Sequence, residues 1–386
     1  MRVLHLTRDF PPRAAGGLST AVGGMVRTST RAGLACAVLS FDDWRPRARA
    51  GSGPVGAPPR PEPGLHAQVL RLSRPAELDA AHAFADAWGP DLVHVHDDLL
   101  WPVAAEIRAR RGIPAVLTVH VLQAEQSRLR GLSETTLALA AQRRALAEAD
   151  TVLAPSRVVL GLLRTCAPEI AARLRLCPLG IDDAASARAA AAAPHDGALV
   201  LFVGRLADIN GVAELLAAVP AIVADAPQAR VIIAGGLPHN RKAERRWHRR
   251  WRQDAAPELV DRVEFTGWLA PAALARLYAR AAVVVAPSWF ETYGQVVLEA
   301  MLHGAPIAAA RAGAVVERIA HDRNGLLFAP RDPAALAEAV CALLADPERA
   351  RRLARAAAAE ARARWTWDQA VATLVRAYDD AVTARR

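Results

Sequence analysis

The sequence predicts an α/β protein built as two doubly wound parallel-sheet domains in tandem. Three observations carry this. Short apolar runs of strand length alternate with longer Ala-, Leu- and Arg-rich segments of helical spacing, the pattern of βαβ units and a parallel sheet. The series runs, stops, and begins again. The chain has 386 residues, and two or three domains are expected at roughly 100–200 residues each.

In the first series the strand-like runs are Val3–Leu6, Ala35–Ser40, Gln68–Leu72, Leu92–His96, Ala115–His120 and Thr151–Ala154. Trp44–Gly64, dense in Pro, Gly and Arg and without periodicity, reads as an irregular surface loop. The second series is Leu199–Val203, Arg230–Ala234, Val263–Thr266, Val283–Ala286, Pro306–Ala309 and Gly325–Phe328. Between the two lies Ile181–Pro194, polar and then almost pure alanine and arginine; it reads as an interdomain linker or as a short helix. A helical pattern, Trp367–Thr383, closes the chain. The predicted boundaries are 1–182, a linker at 183–196, 197–366, and a terminal helix at 367–386.

Hydrophobic residues make up 53% and charged residues 23%, a globular balance that excludes a disordered chain. The net charge of +9 favours anionic partners without choosing among phosphates, nucleic acid and anionic lipid. Cys36, Cys166, Cys177 and Cys341 form no CxxC pair, so neither a zinc site nor a disulfide framework is expected. No signal-peptide apolar region follows Met1, and charged residues interrupt every Ala-rich stretch. A cytoplasmic setting is expected, at the inner membrane surface if a basic stretch touches lipid.

The strongest chemical signal is Glu291-Thr-Tyr-Gly294-Gln295-Val-Val-Leu-Glu299, which follows the run Val283–Ala286 and enters a helical pattern. Both carboxylates can face the carboxyl ends of the strands, where open α/β sheets bind ligands. Carboxylates accept hydrogen bonds from pairs of sugar hydroxyls. Gly294 would let backbone N–H groups approach a phosphate. A second signal is Phe202-Val-Gly204-Arg205-Leu-Ala-Asp-Ile-Asn210-Gly211: a strand end delivers Arg205, able to clamp a diphosphate with two parallel donors. A third is Gly16-Gly17, between the first strand and a helical pattern, where the backbone could approach a phosphate or sugar. His120 ends the run Ala115–His120, and His94, His96, Asp97 and Asp98 end the run before it. The acidic pair reads equally as an acceptor contact or a helix cap.

These motifs together resemble the retaining glycosyltransferases of family 4, which have the GT-B fold: two doubly wound Rossmann-like domains facing a central cleft. Pro306-Ile307, Glu317, Asn324–Phe328 and Asp332-Pro333 share the likeness, which spans nearly the whole chain and includes the glycogen-synthase-like members. The resemblance implies an acceptor-binding first domain, a nucleotide-sugar-binding second domain and a terminal helix that crosses back to the first. It implies a nucleoside-diphosphate sugar as hexosyl donor, with retention of anomeric configuration. Glu299 would bind the ribose, Glu291 the donor sugar and Arg205 the diphosphate. Gly16 and Gly17 would lie over donor and acceptor, and His120 would contact the donor sugar. Gly294, Gln295 and Asn210 would complete the donor site.

The family pattern has a lysine where this chain has Asn210, and three readings follow: Arg241 or Lys242 substitutes, donor binding differs, or activity is weakened. No metal or other cofactor is implied. The acceptor is open among glycans, small molecules and lipid-linked sugars. Basic residues with Trp247 and Trp251 on one helical face read as peripheral membrane contact or as a solvated face over packed tryptophans. No nucleic-acid motif accompanies the charge. The alternative function is a non-catalytic sugar-nucleotide-binding GT-B protein or partner subunit, for which Asn210 is the only sign. The absence of a Gly-x-Gly-x-x-Gly turn after the first strand argues against a dinucleotide-dependent oxidoreductase.

Overall fold

The computed structural model describes residues 1–12, 16–41, 60–61, 67–72, 78–132, 136–181, 196–236 and 241–385. All of the predicted linker but its last residue, Asp196, and most of the predicted loop at Trp44–Gly64 lie outside them. The chain forms two compact units, Met1–Gly180 with Trp367–Arg386, and Ile181–Thr366.

The first unit has strands β1 (Arg2–Thr7), β2 (Ala35–Ser40), β3 (Arg60–Pro61), β4 (Gln68–Arg71), β5 (Leu92–Val95), β6 (Ala115–Thr118), β7 (Thr151–Ala154) and β8 (Leu174–Leu176). They form one sheet in the order β3-β4-β2-β1-β5-β6-β7-β8. All pairs are parallel except β3 with β4. This corrects one expectation: Arg60–Pro61, at the end of the stretch read as irregular, is a two-residue edge strand. Proline lacks the N–H of a ladder and is tolerated at an edge. Strand order reverses between β1 and β5, the topological switch point.

Helices α1 (Gly17–Arg31), α2 (Leu78–Trp88), α3 (Trp101–Arg111), α4 (Gln123–Leu129), α5 (Leu137–Glu148) and α6 (Arg157–Cys166) connect the strands. Their ends follow local chemistry. The Thr136 and Ser156 side chains accept from the Leu139 and Val159 N–H groups and start α5 and α6. Gly112 stops α3 with a left-handed φ of 68°.

The second unit has β9 (Leu199–Val203), β10 (Arg230–Ala234), β11 (Val263–Gly267), β12 (Val283–Ala286), β13 (Ile307–Ala310) and β14 (Leu326–Phe328), all parallel, in the order β11-β10-β9-β12-β13-β14. Its switch point lies between β9 and β12. The helices are α7 (Val212–Asp225), α8 (Lys242–Asp254), α9 (Pro257–Val260), α10 (Pro271–Arg280), α11 (Gln295–Leu302), α12 (Pro333–Ala345) and α13 (Pro347–Arg364). The core on one face joins Val200, Phe202 and Val283 of the sheet to Leu215 and Val219 of α7 and Leu336 of α12. Strands covered on both faces need continuous apolar runs, which is why the inner strands were legible in the sequence; the edge strand β11, with Glu264 exposed, was legible by its alternation instead.

Helix α14 (Trp367–Thr383) belongs to the first unit. Trp367 presses on Gly24 of α1, where an added Cβ would lie 2.2 Å from the indole nitrogen. Tyr378, fully buried, donates or accepts at His94 Nδ1, 2.6 Å away. Among the described residues no helix is long and apolar enough to cross a membrane. All four cysteines are free, and burial pushes the Cys36 and Cys177 thiols up to about 11 and about 12.

Candidate active site

The second unit brings its motif residues together at the switch point. Beyond β9 come Gly204 and Arg205, the latter exposed, then Asn210 and Gly211 before α7. Gly211 has φ 77°, and a Cβ there would lie 2.2 Å from the Pro287 carbonyl oxygen, so only glycine lets this loop lie on the turn after β12. The Trp289 N–H donates to Ile209 O at 2.8 Å and its indole N–H to Glu214 at 2.8 Å. These contacts fix the Arg205 loop against the Glu291 loop.

Glu291 is half-buried. Burial raises its carboxyl above the usual range, while the Ser288 side chain, the Arg205 charge and the Gly294 N–H pull it back. Its carbonyl oxygen accepts from the Ala314 N–H at 2.7 Å. Gly313 beside it has φ 56°, and a Cβ there would lie 2.1 Å from that same oxygen. Gly294 precedes α11 at φ 85° and ψ 48°, a conformation that favours glycine. Glu299, one helical turn beyond Gln295, accepts from the Tyr278 hydroxyl at 2.8 Å and also bonds the Gln295 side chain. Burial still outweighs these two and leaves the Glu299 carboxyl raised. Tyr278 stacks on His303, whose Nδ1 donates to the Glu299 carbonyl at 2.8 Å. The site thus offers two oriented carboxylates, the first of them within the field of a guanidinium, suited to hydroxyl pairs and an anionic group.

Asn210 turns its amide onto the Arg205 carbonyl oxygen at 2.8 Å. Of its suggested substitutes, Arg241 donates to the buried Glu244 carboxylate at 2.8 Å. Trp247 and Trp251 are 2% and 5% exposed, and their indole N–H groups donate to Leu206 O and Val260 O, each at 3.2 Å. The packed reading of that basic stretch therefore holds for both tryptophans, and Trp247 supports the Arg205 loop from beneath. Asn324 bonds Ala320, Arg318 and Glu360, and Asp332 caps α12, so these motif residues act as scaffold.

In the first unit, Gly16 and Gly17 open α1 with no side-chain cap. A Cβ at Gly16 would meet nothing within 4 Å, so the fold does not require glycine there. The strands stop at Val95 and Thr118, and His96 and His120 stand just past them, joined by a 3.0 Å hydrogen bond. Burial lowers His120 to about 4. Asp97 caps the turn at Leu99 and pairs with Arg8, as the cap reading expects. Asp98 is buried on Gln142 Nε2 at 2.9 Å, and burial, then Asp97, pushes it up to about 7.

Two features escaped the sequence reading. One is Arg318, 1% exposed, stacked between Tyr293 of the Glu291 loop and Trp365, at 4.4 and 3.7 Å from their ring centres. A lone arginine gives no signal of such a place. The other is a row of histidines, His5, His96 and His120, which becomes visible only once β1, β5 and β6 are known to be neighbours.

Two doubly wound units in tandem, the second with paired glutamates and a basic loop at its switch point, define the class of GT-B glycosyltransferases. Residues 197–346 match the family model of glycosyl transferases group 1, and residues 15–185 that of Glycosyltransferase Family 4. A D-inositol 3-phosphate glycosyltransferase of Acidothermus cellulolyticus is 30% identical, over 96% of this chain and 87% of that one. A glycogen synthase of Mycobacterium tuberculosis is 30% identical, over 97% and 93%. The solved sucrose-phosphate synthase of Thermosynechococcus elongatus superposes with a TM-score of 0.81 at 26% identity, covering all of both chains. The chain belongs to glycosyltransferase family 4.

Proposed function

We propose that the protein transfers a hexosyl group, with retention, from a nucleoside-diphosphate sugar to a hydroxyl of a polyol, glycan or lipid-linked acceptor. The observation that carries this is the pair Glu291 and Glu299, each held by hydrogen bonds at the carboxyl edge of one switch point, with Arg205 beside the first. In this reading Glu299 accepts from the ribose hydroxyls and Glu291 from hydroxyls of the donor sugar. Arg205, with the N–H groups at Gly294 and Gln295, holds the diphosphate. Gly16, Gly17 and His120 of the first unit serve the sugar and acceptor.

The bond from the anomeric carbon to the diphosphate breaks, and the acceptor oxygen bonds to that carbon from the same face. The acceptor proton passes to the departing phosphate oxygen, so no side-chain base is needed. No metal is needed either, because fixed donors carry the developing charge. Relatives named for D-inositol 3-phosphate and for glycogen are equally similar, which keeps the acceptor class wide. Asn210, in place of a cation, favours a second reading: a binder of sugar nucleotides without turnover.

Heat unfolding with UDP-, GDP- and ADP-glucose tests the donor site. One nucleotide should stabilise by about 2.7 kcal/mol at a hundredfold excess over its Kd. Glu299→Ala and Arg205→Ala should each abolish the effect. Stabilisation by none of the three would refute the donor-site assignment. Stabilisation without transfer or hydrolysis would select the second reading, and the anomeric configuration of a product, read by NMR, would settle retention.

A further inference from the structure

We propose that His5 and His96 are positioning residues that hold His120 as the neutral tautomer with its proton on Nδ1, so that His120 serves as a hydrogen-bond donor and never as a base. The proposal rests on the reading of His120 as a sugar contact. Its basis is the geometry at the first unit's switch point.

β1, β5 and β6 are adjacent and in register, with His5 beside His94 and His94 beside Val116. Their carboxyl ends place three imidazoles in a row. His5 Nδ1 lies 3.0 Å from His96 Nε2, and His96 Nδ1 lies 3.0 Å from His120 Nε2. The ring centres of His5 and His96, and of His96 and His120, are each 5.3 Å apart, the separation of two imidazoles joined nitrogen to nitrogen in line; the planes differ by 12° and 45°, since such a bond leaves rotation about its axis free. His5 and His96 are 0% and 2% exposed. Burial holds every member neutral: His5 falls to about 3, His120 to about 4, and His96 well below its ordinary value.

A neutral imidazole has one N–H and one lone pair. In a row of three, the direction of one bond therefore dictates the next. Either each ring carries its proton on Nδ1, or each carries it on Nε2. The buried His5 end favours one of the two. His5 Nε2 is buried without a partner. The Nε2 arrangement would strand an N–H there, whereas the Nδ1 arrangement strands only a lone pair. In folded proteins the orphaned buried N–H is the rarer fault. The row therefore runs from His5 to His96 to His120, and the His120 Nε2 lone pair is spent on His96.

The nitrogens of His5, His94 and His96 also lie within 4.8 Å of one another, close enough to suggest a metal site. Their bonds argue against it. His94 is held by the Tyr378 hydroxyl at 2.6 Å and the Thr118 hydroxyl at 2.7 Å, and both nitrogens of His96 serve the row. His94 instead packs its ring 4.0 Å from that of His96 and holds it in place.

The test is the two-bond 15N–1H spectrum of the full chain labelled at histidine ring nitrogens, with no substrate present. His5, His96 and His120 should all show the Nδ1–H pattern. His96→Leu should release His120 to the Nε2–H form, and turnover should fall about tenfold, the loss of one oriented donor. His96→Asn, whose amide can still donate to His120 Nε2, should keep His120 on Nδ1 and retain most of the turnover. An Nε2–H signal from His120 in the unmodified protein would overturn the proposal, and so would an unchanged His120 signal in His96→Leu. The spectrum needs no ligand, so a failed donor titration leaves this test intact.

Discussion

Replacing Gly313 by alanine should damage the donor site from behind, through the Glu291 backbone, with every side chain proposed to meet the substrate left in place. Gly313 sits at φ 56°, and its missing Cβ would fall 2.1 Å from the Glu291 carbonyl oxygen and 2.7 Å from its nitrogen. An ordinary contact is about 3.4 Å, so Glu291 or the 313 backbone must move by about 1 Å. The Ala314 N–H bond to Glu291, 2.7 Å long, would be stretched by the same shift. A left-handed alanine costs about 1–2 kcal/mol, and the overpacking about 1–3 more. A misplacement of about 1 Å can cost about a hundredfold in turnover. Gly304 supplies the control: it has φ 68° but open space around the position of its Cβ. Gly304→Ala should lose only about 1–2 kcal/mol and keep the donor affinity of the parent. The assay is heat unfolding with and without donor, followed by turnover. If Gly313→Ala binds and turns over the donor as Gly304→Ala does, the packing of Gly313 on Glu291 does not position that carboxylate.

Tyr278→Phe removes the donor to Glu299 Oε2 and should cost about 2 kcal/mol, seen as a lower unfolding temperature, with weaker nucleotide binding in titration. Asn210→Lys breaks the bond to the Arg205 carbonyl, for about 1 kcal/mol of stability, but adds a cation at the loop. Donor affinity should rise about tenfold and become more salt-dependent; an unchanged Kd would show that position 210 does not face phosphate. Asp98 gives a pH signature. Its folded pKa of about 7 lies above 3.8, so the folded protein holds a proton that the unfolded chain releases. Ionisation of Asp98 therefore destabilises above about pH 7, and stability returns as pH falls toward 3.8. Asp98→Asn should exceed the parent in stability at pH 8, and between pH 8 and pH 5 that advantage should shrink by about 2.5 kcal/mol in denaturant melts.

The fold was legible where one physical signal ruled. Strands covered on both faces must be apolar throughout, and Leu199–Val203 or Val283–Ala286 announce themselves for that reason. β8, three residues with an exposed Arg175 at its centre, and β3, two residues including a proline, carry too little pattern to be read. The second unit's candidate site was legible because its residues cluster in two strand-end loops, and chain order nearly suffices to place them together. The histidine row was not. It joins three strands that are neighbours only because strand order reverses at β1, and Gly313 and Tyr278 likewise reach Glu291 and Glu299 through tertiary packing. Trp247 and Trp251 mark an intermediate case: their spacing puts them on one helical face, but the arginines around them leave packing and membrane contact both open until their burial selects packing.

The helix that ends the described chain has a consequence for biosynthesis. Trp367 fills the space left by Gly24 and Gly180, and Tyr378 holds His94 beneath the switch point of the first unit. A nascent chain emerging from the ribosome therefore exposes β1 to β8 while a piece of their core is still untranslated. The whole of Ile181–Thr366 must be made before that piece arrives. A gene cut at residue 366 would remove both contacts and leave the apolar surface under Trp367 and Tyr378 uncovered.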